Sequence, residues 1–162
     1  MGIKNSIFIF GVLFLLFSCD EKRVFDQYKS FDGAWHKDTI VSFDFDPGDT
    51  VAAYNLFINI RNNNNYPYNN LFLIVEMQQP GTNVTKVDTL EYAMAYPDGT
   101  LMGEGFAGVK ESKLWYKQNV KFPKPGSYKF SIGQAVREAG KITGVEELEG
   151  ITEVGFRIEA TE

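Results

Sequence analysis

Apolar and polar residues alternate along most of the chain after residue 38. In the clearest segment, Val41, Phe43 and Phe45 alternate with three polar side chains. A period of two places successive side chains on opposite faces of a β-strand. The same pattern predicts strands over residues 54–61, 86–96, 113–122, 128–132 and 154–158. Residues 71–75 are apolar throughout, which is expected of a strand covered on both faces.

Proline and glycine separate these segments, as in Pro47-Gly48 and Pro97-Asp98-Gly99. Short strands between such turns predict one all-β domain over residues 24–162, a single antiparallel β-sandwich of the jelly-roll or immunoglobulin-like kind, with about seven to nine strands. Residues 134–139 are predicted as a short helix. The predicted core consists of Val41, Phe43, Phe45, Leu56, Ile58, Leu73, Phe130, Ile132, Phe156 and Ile158.

The N-terminus has the pattern of an export signal. Lys4 precedes an uninterrupted apolar run from Ile7 to Phe17, which is too short to span a bilayer and fits a signal peptide over residues 1–18. Cys19 follows directly after Ser18, and this arrangement resembles the lipobox of bacterial lipoproteins. The resemblance implies cleavage before Cys19, a lipid on its thiol and a short polar tether, residues 19–23. The alternative is a free thiol behind an ordinary signal.

Composition excludes several kinds of chemistry. The chain has one Cys and one His, which is too few for an internal disulfide or a zinc cluster. We also expect no Cys–His nucleophilic pair. Its net charge of −5 has the wrong sign for binding nucleic acid. Asp44, Asp46 and Asp49 could hold calcium, but solvated turn carboxylates explain them better. We therefore expect no enzyme activity, no cofactor and no metal.

Aromatic residues are the strongest candidates for a binding surface. Tyr66 and Tyr68 lie in an Asn-rich segment, and Trp115 and Tyr116 point to opposite faces of one predicted strand. Such rings either pack in the core or remain exposed for a partner. Interface energy concentrates in Trp, Tyr and Arg. The candidate residues for binding a partner or a glycan are Arg61, Tyr66, Tyr68 and Trp115; a sugar-stacking platform could also include Trp35.

Several segments together resemble the GldH family of gliding motility lipoproteins of the Bacteroidetes. They include YNLFINIRN at residues 54–62, NLFLI at 70–74, DTLEY at 88–92, LWYK at 114–117, QAVR at 134–137 and GITEVGFRI at 150–158. The resemblance implies a non-enzymatic lipoprotein, attached through Cys19 to the cell envelope, most simply the outer membrane. Its implied partners are other envelope proteins of the gliding and type IX secretion machinery. The alternative function is a carbohydrate-binding module on the envelope.

Three Asp-Thr-aliphatic triplets resemble the O-glycosylation sequon of exported proteins in that phylum. Their threonines are Thr39, Thr50 and Thr89. A purely structural interpretation is equally open: Asp ends a turn, Thr begins a strand and the aliphatic residue enters the core.

Overall fold

The computed structural model describes residues 20–83 and 85–161, and within them the protein is all-β, as the alternation predicts. Eleven strands and no α-helix are present in this part of the chain. The strands are β1 (Arg23–Ser30), β2 (Ala34–His36), β3 (Val41–Phe45), β4 (Ala53–Asn63), β5 (Asn70–Gln78), β6 (Thr85–Ala93), β7 (Glu104–Phe106), β8 (Val109–Lys121), β9 (Tyr128–Gln134), β10 (Glu147–Glu149) and β11 (Ile151–Ala160).

Two open antiparallel sheets form the sandwich. The five-stranded sheet has the order β1-β11-β4-β8-β7, and the four-stranded sheet has the order β3-β9-β5-β6. A small third sheet pairs β2 with β10 and places Trp35 opposite Leu148, both fully buried. The large sheets therefore each present one face to the core and one face to solvent.

Phe156 of β11 lies at the centre of the core between the sheets. Its ring stacks on Phe130 at 4.4 Å and on Phe43 at 5.9 Å, and both of these residues belong to the opposite sheet. All ten residues of the predicted core are buried. The prediction was correct because inward-facing positions of a sandwich must be apolar and alternate along each strand.

The two ends of the sandwich differ in their connections. One end, here called the tether end, carries residues 20–22 and three short connections, 46–52, 79–83 and 122–127. The opposite end, here called the loop end, carries connections 31–40, 64–69, 94–108 and 135–150, three of which contain a short strand. Gly150 has φ of 84°, and an added Cβ would lie 2.3 Å from the backbone nitrogen of Tyr66, so the loop end is tightly packed there.

The sandwich has nine strands, five in one sheet and four in the other, which is within the predicted seven to nine. β2 and β10 form the separate two-stranded sheet and bring the described chain to eleven strands. One prediction about a strand was wrong, because the apolar run in β5 is not covered on both faces. Ile74 points away from the core and is 39% exposed, whereas Leu73 and Val75 are fully buried.

The helix predicted at residues 134–139 was also wrong. Gln134 ends β9, and its side chain forms hydrogen bonds with the backbone of two neighbouring segments. Its Nε2 donates to the carbonyl of Val145 at 2.8 Å, and its Oε1 accepts from the amide of Val136 at 3.0 Å. The segment is held in an extended conformation against residues 144–145.

The predicted signal peptide and Cys19 lie outside the described residues. In residues 20–83 and 85–161, no helix has the length and apolar character needed to cross a membrane. β1 begins at Arg23, the last residue of the predicted tether.

Candidate functional site

The solvent-facing side of the five-stranded sheet carries the most organised set of side chains on the surface. We call it the outer face. Directly paired residues of antiparallel strands share a face, so side chains from four neighbouring strands lie next to one another here. They are Asp26, Tyr28 and Ser30 of β1, Glu153, Gly155, Arg157 and Glu159 of β11, Phe57, Asn59 and Arg61 of β4, and Glu111, Lys113 and Trp115 of β8.

Arg61 joins three strands on this face. Its Nε donates to Glu111 at 2.5 Å, and its Nη1 donates to Glu153. The guanidinium also lies 4.3 Å from the ring centre of Tyr28, whose hydroxyl donates to Glu111 at 3.1 Å. The hydrogen bond from Arg61 is the main cause that lowers the pKa of Glu153. Arg61 therefore links three strands, with its Nε and Nη1 both engaged by carboxylates.

Asn59 lies beneath these groups and is only 2% exposed. Its Nδ2 donates to the hydroxyl of Tyr28 at 2.8 Å, while its Oδ1 has no hydrogen-bond partner in the described structure. Burial is the largest cause that raises the pKa of Tyr28 to about 12, and the nearby charges of Asp26 and Glu111 act in the same direction. The Tyr28 hydroxyl is therefore protonated at neutral pH and can donate to Glu111.

An aromatic patch occupies the β8 side of the outer face. The ring of Trp115 lies 4.3 Å from the ring of Phe57 at an interplanar angle of 49°. Phe57 is buried beneath it, and the ammonium group of Lys113 lies 4.1 Å from the Phe57 ring centre. Trp115 itself is 52% exposed. A large ring supported from below and open above is suited to contact a partner at low entropic cost.

Arg157 ties the tether to the outer face. Its Nη2 donates to Asp20, its Nη1 to Asp26 at 3.1 Å and its Nε to Glu159 at 2.7 Å. Lys113 also contacts Glu159 at 2.6 Å. Burial tends to raise the pKa of Glu159, but its hydrogen bonds with Lys113 and Arg157 outweigh burial and lower it. Asp20 is thus bound to the domain through its side chain.

The four predicted binding residues do not form one site. Arg61 and Trp115 lie on the outer face, whereas Tyr66 and Tyr68 lie at the loop end with their rings 5.9 Å apart. The structure places Tyr66 in the core, where it is 4% exposed and donates to the carbonyl of Asn70. Tyr68 is half-buried beside an open cleft of about 370 Å³ and lies 3.5 Å from Glu138.

Burial also removes Trp35 from any sugar-stacking platform. Trp35 is fully buried, stacks on Phe31 at 5.1 Å and donates its indole N–H to the carbonyl of Thr39. With Tyr66 also buried, only Tyr68 and Trp115 of the four proposed rings reach solvent, and they lie on different surfaces. Tyr116 faces the core at 6.4 Å from Phe156, so Trp115 and Tyr116 do point to opposite faces as predicted.

The three candidate threonines lie in different settings. Thr39 is exposed just before β3, and Thr50 is half-buried in the connection before β4. Thr89 is exposed but lies in the middle of β6, so the expectation that each triplet begins a strand was wrong for this one. Thr89 faces solvent because its partner on β5, Ile74, points away from the core and directly paired residues share a face.

The turn carboxylates are engaged by the backbone. Asp49 accepts from the amides of Val51 and Ala52, and these hydrogen bonds lower its pKa. Asp46 accepts from the amide of Gly48 at 3.1 Å. His36 accepts from the amide of Asp38 at 3.1 Å, which is a local turn contact. Among the described residues, no group of three or more His, Cys, Asp or Glu side chains could hold a metal ion.

Sequence reasoning missed most of the outer face. Tyr28 and Arg157 were not singled out, because neither stands in an unusual local pattern. A signal did exist in β4, where Phe57 interrupts a polar row that also contains Asn59 and Arg61. One large ring among polar residues on the solvent side of a strand indicates that something covers it, and that residue is Trp115.

Comparison with known proteins identifies close relatives. The profile of the GldH lipoprotein family matches residues 23–158. The gliding motility lipoprotein GldH of Flavobacterium johnsoniae is 64% identical over 159 residues, which cover 98% of each chain. A protein named gliding motility lipoprotein GldH homolog, from Christiangramia forsetii, is 56% identical over 158 residues, or 97% of this chain and 96% of its own length.

Proposed function

The chain belongs to the GldH lipoprotein family, and from this membership we propose that it supports gliding motility as a lipid-anchored protein of the cell envelope. Cys19 carries the lipid, and the anchoring membrane is the outer membrane. Both relatives are named for gliding motility. The sandwich acts by contact with other envelope proteins of the motility and secretion machinery and performs no reaction of its own.

The observation that carries this contact role is the half-exposed ring of Trp115 on the outer face. Phe57 supports the ring from below, and the ion pairs of Arg61 and Arg157 hold the surrounding strands in one arrangement. A rigid surface loses little conformational freedom when a partner binds. Trp is among the residues that contribute most to protein interfaces. The outer face around Trp115 is thus the partner surface.

The test is complementation in a gliding host that carries this gene. Deleting the gene should stop movement, and the unchanged chain should restore it. Trp115→Ala should restore it poorly, although the variant folds and reaches the membrane. Phe106→Ala is the matched control, because Phe106 is 90% exposed and lies at the loop-end edge of the sheet, in β7, where its partner Val109 is six residues from Trp115 along β8. Cell tracking on agar and fractionation of the envelope provide the two measurements.

Each outcome of this experiment decides a separate part of the proposal. Normal movement of the deletion strain would overturn the motility function. Full activity of Trp115→Ala together with loss in Phe106→Ala would move the partner surface to the loop end. Cys19→Ala should abolish acyl labelling and leave precursor or released protein, and a labelled Cys19→Ala variant would contradict the anchor.

A further inference from the structure

We propose that the Asp20–Arg157 ion pair fixes how the domain stands on its membrane, with the tether end resting on the lipid surface and the loop end pointing away. The inference rests on the proposed lipid at Cys19. What is new is the orientation of the domain and the residues that set it. A lipid on a flexible tether would fix no orientation.

The chain between the lipid and the sheet is short. Consecutive Cα atoms are about 3.8 Å apart, so a lipid on Cys19 begins one residue from Asp20. β1 begins at Arg23, which leaves only residues 20–22 between the lipidated residue and the sheet. Three residues span at most about 10 Å even when fully extended. The tether end therefore cannot move far from the bilayer.

This short segment is also bound to the domain. The amide of Arg23 donates to the carbonyl of Asp20 at 3.2 Å, and the amide of Ala160 donates to the carbonyl of Lys22 at 2.8 Å. The side chain of Asp20 is held by Arg157. Arg157 is only 13% exposed and is fixed in turn by Asp26 and Glu159. Backbone and side-chain contacts together restrict the movement of the tether relative to the domain.

The side chains of the tether end suit a membrane surface. Val51 is 76% exposed in the connection between β3 and β4. Lys121, which pairs with Ala53 at the end of β8, and Lys124 in the following turn are exposed at the same end. The carboxylates of Asp46 and Asp49 are occupied by backbone amides in the same turn as Val51. An exposed aliphatic residue with lysines nearby suits the interface of a bilayer that contains anionic lipid.

The experiment uses the lipidated chain reconstituted in vesicles of phosphatidylethanolamine and phosphatidylglycerol that contain a nitroxide-headgroup lipid. Cys19 is the sole cysteine and its thiol is consumed by the lipid, so an introduced cysteine is the one site for a fluorophore. Val51→Cys reports on the tether end. Ile142→Cys is its matched control, since Ile142 is an equally accessible aliphatic residue at the loop end, 90% exposed. Quenching should be several-fold stronger at residue 51 than at residue 142.

The role of the ion pair is tested by Asp20→Asn in both labelled chains. Without the carboxylate, the tether loses its side-chain contact with Arg157, and the ratio of quenching at residue 51 to quenching at residue 142 should fall. Glu21→Gln is the matched control: it makes the same charge change one residue later, at an exposed side chain for which the described structure shows no ion pair. Glu21→Gln should leave the ratio unchanged.

The possible failures are distinguishable. If the protein does not sediment with the vesicles, the lipid anchor is absent and the proposed function fails together with the orientation. If it sediments but residues 51 and 142 are quenched equally, the anchor stands and the orientation is overturned. If Asp20→Asn and Glu21→Gln give the same ratio as the unsubstituted chain, Asp20 does not set the orientation.

Discussion

At the scale of a residue, Gly155 makes the outer face possible. It lies in the middle of β11, and an added Cβ would lie 2.7 Å from the ring of Tyr28. The absence of a side chain lets the Tyr28 ring lie flat on the sheet, within reach of Asn59 and beneath Arg61. The φ angle of Gly155 is not in the left-handed region, so a glycine is required here for space and not for backbone freedom.

Gly155→Ala should therefore lower the free energy of unfolding by about 1–3 kcal/mol, the usual cost of overpacking. Gly144→Ala is the control, because a Cβ there meets only the carbonyl oxygen of Val136 at an ordinary 3.6 Å. Urea denaturation measures both. In a Tyr28→Ala background the cost of Gly155→Ala should largely vanish, and an unchanged cost would show that Tyr28 is not the cause.

At the scale of elements, β6 protects the open edge of β8. β7 pairs only with residues 109–111 of β8, and side chains from β6 reach residues 115–117. The hydroxyl of Tyr92 donates to the carbonyl of Trp115 at 2.8 Å, and Asp88 accepts from Tyr116 and Lys117, each at 2.7 Å. These contacts join the two sheets where no strand closes them. An edge covered in this way is less able to pair with another chain.

Asp88→Ala should destabilise the fold by about 1–3 kcal/mol, since it leaves two donors without their acceptor. The pKa of Tyr116, raised by burial and then by its hydrogen bond to Asp88, should fall in this variant. Asp44→Ala is the control, because Asp44 is an exposed strand carboxylate for which the described structure shows no hydrogen bond or ion pair. Denaturant unfolding and ultraviolet titration measure the two effects. Equal stabilities of the two variants would contradict the role of Asp88.

At the scale of the whole molecule, ion pairs on one sheet and buried tyrosines across the fold limit stability at opposite ends of the pH scale. Glu153 and Glu159 have lowered pKa values when folded. A lowered pKa contributes stability above the pKa of the unfolded chain, and this contribution disappears as the pH falls through the folded value. The pKa values of Tyr28 and Tyr92 are raised to about 12, mainly by burial. Their contribution is complete below the unfolded value of 10.0 and declines above it.

We therefore expect the urea midpoint to be highest near neutral pH, to fall below the unfolded carboxylate values and to fall again above pH 10.0. Tyr28→Phe should reduce the alkaline decline, because it removes one ionising group. Arg61→Ala should shift the acid decline, because Glu153 loses the partner that lowers its pKa. Midpoints that do not change between neutral pH and either extreme would contradict this account.

The sequence alone determined the β class, most strand positions and the core. This was possible because inward positions such as Phe43, Ile58 and Phe156 must be apolar and must alternate, a rule that each strand obeys locally. The family could likewise be identified from segments that are contiguous in the chain. The signal peptide, the lipid at Cys19 and the glycosylation of Thr39, Thr50 and Thr89 rest on local patterns and remain predictions.

Only the tertiary structure decided which aromatic residues are exposed and which polar residues meet. Tyr66 and Trp35 carry no local mark that separates them from Trp115, and their burial depends on how the loop-end connections pack. The outer face depends on strand pairing across long separations: Tyr28 and Glu111 are 83 residues apart, and Arg61 and Glu153 are 92 apart. Strand order and register set these pairs, and alternation within one strand specifies neither of them.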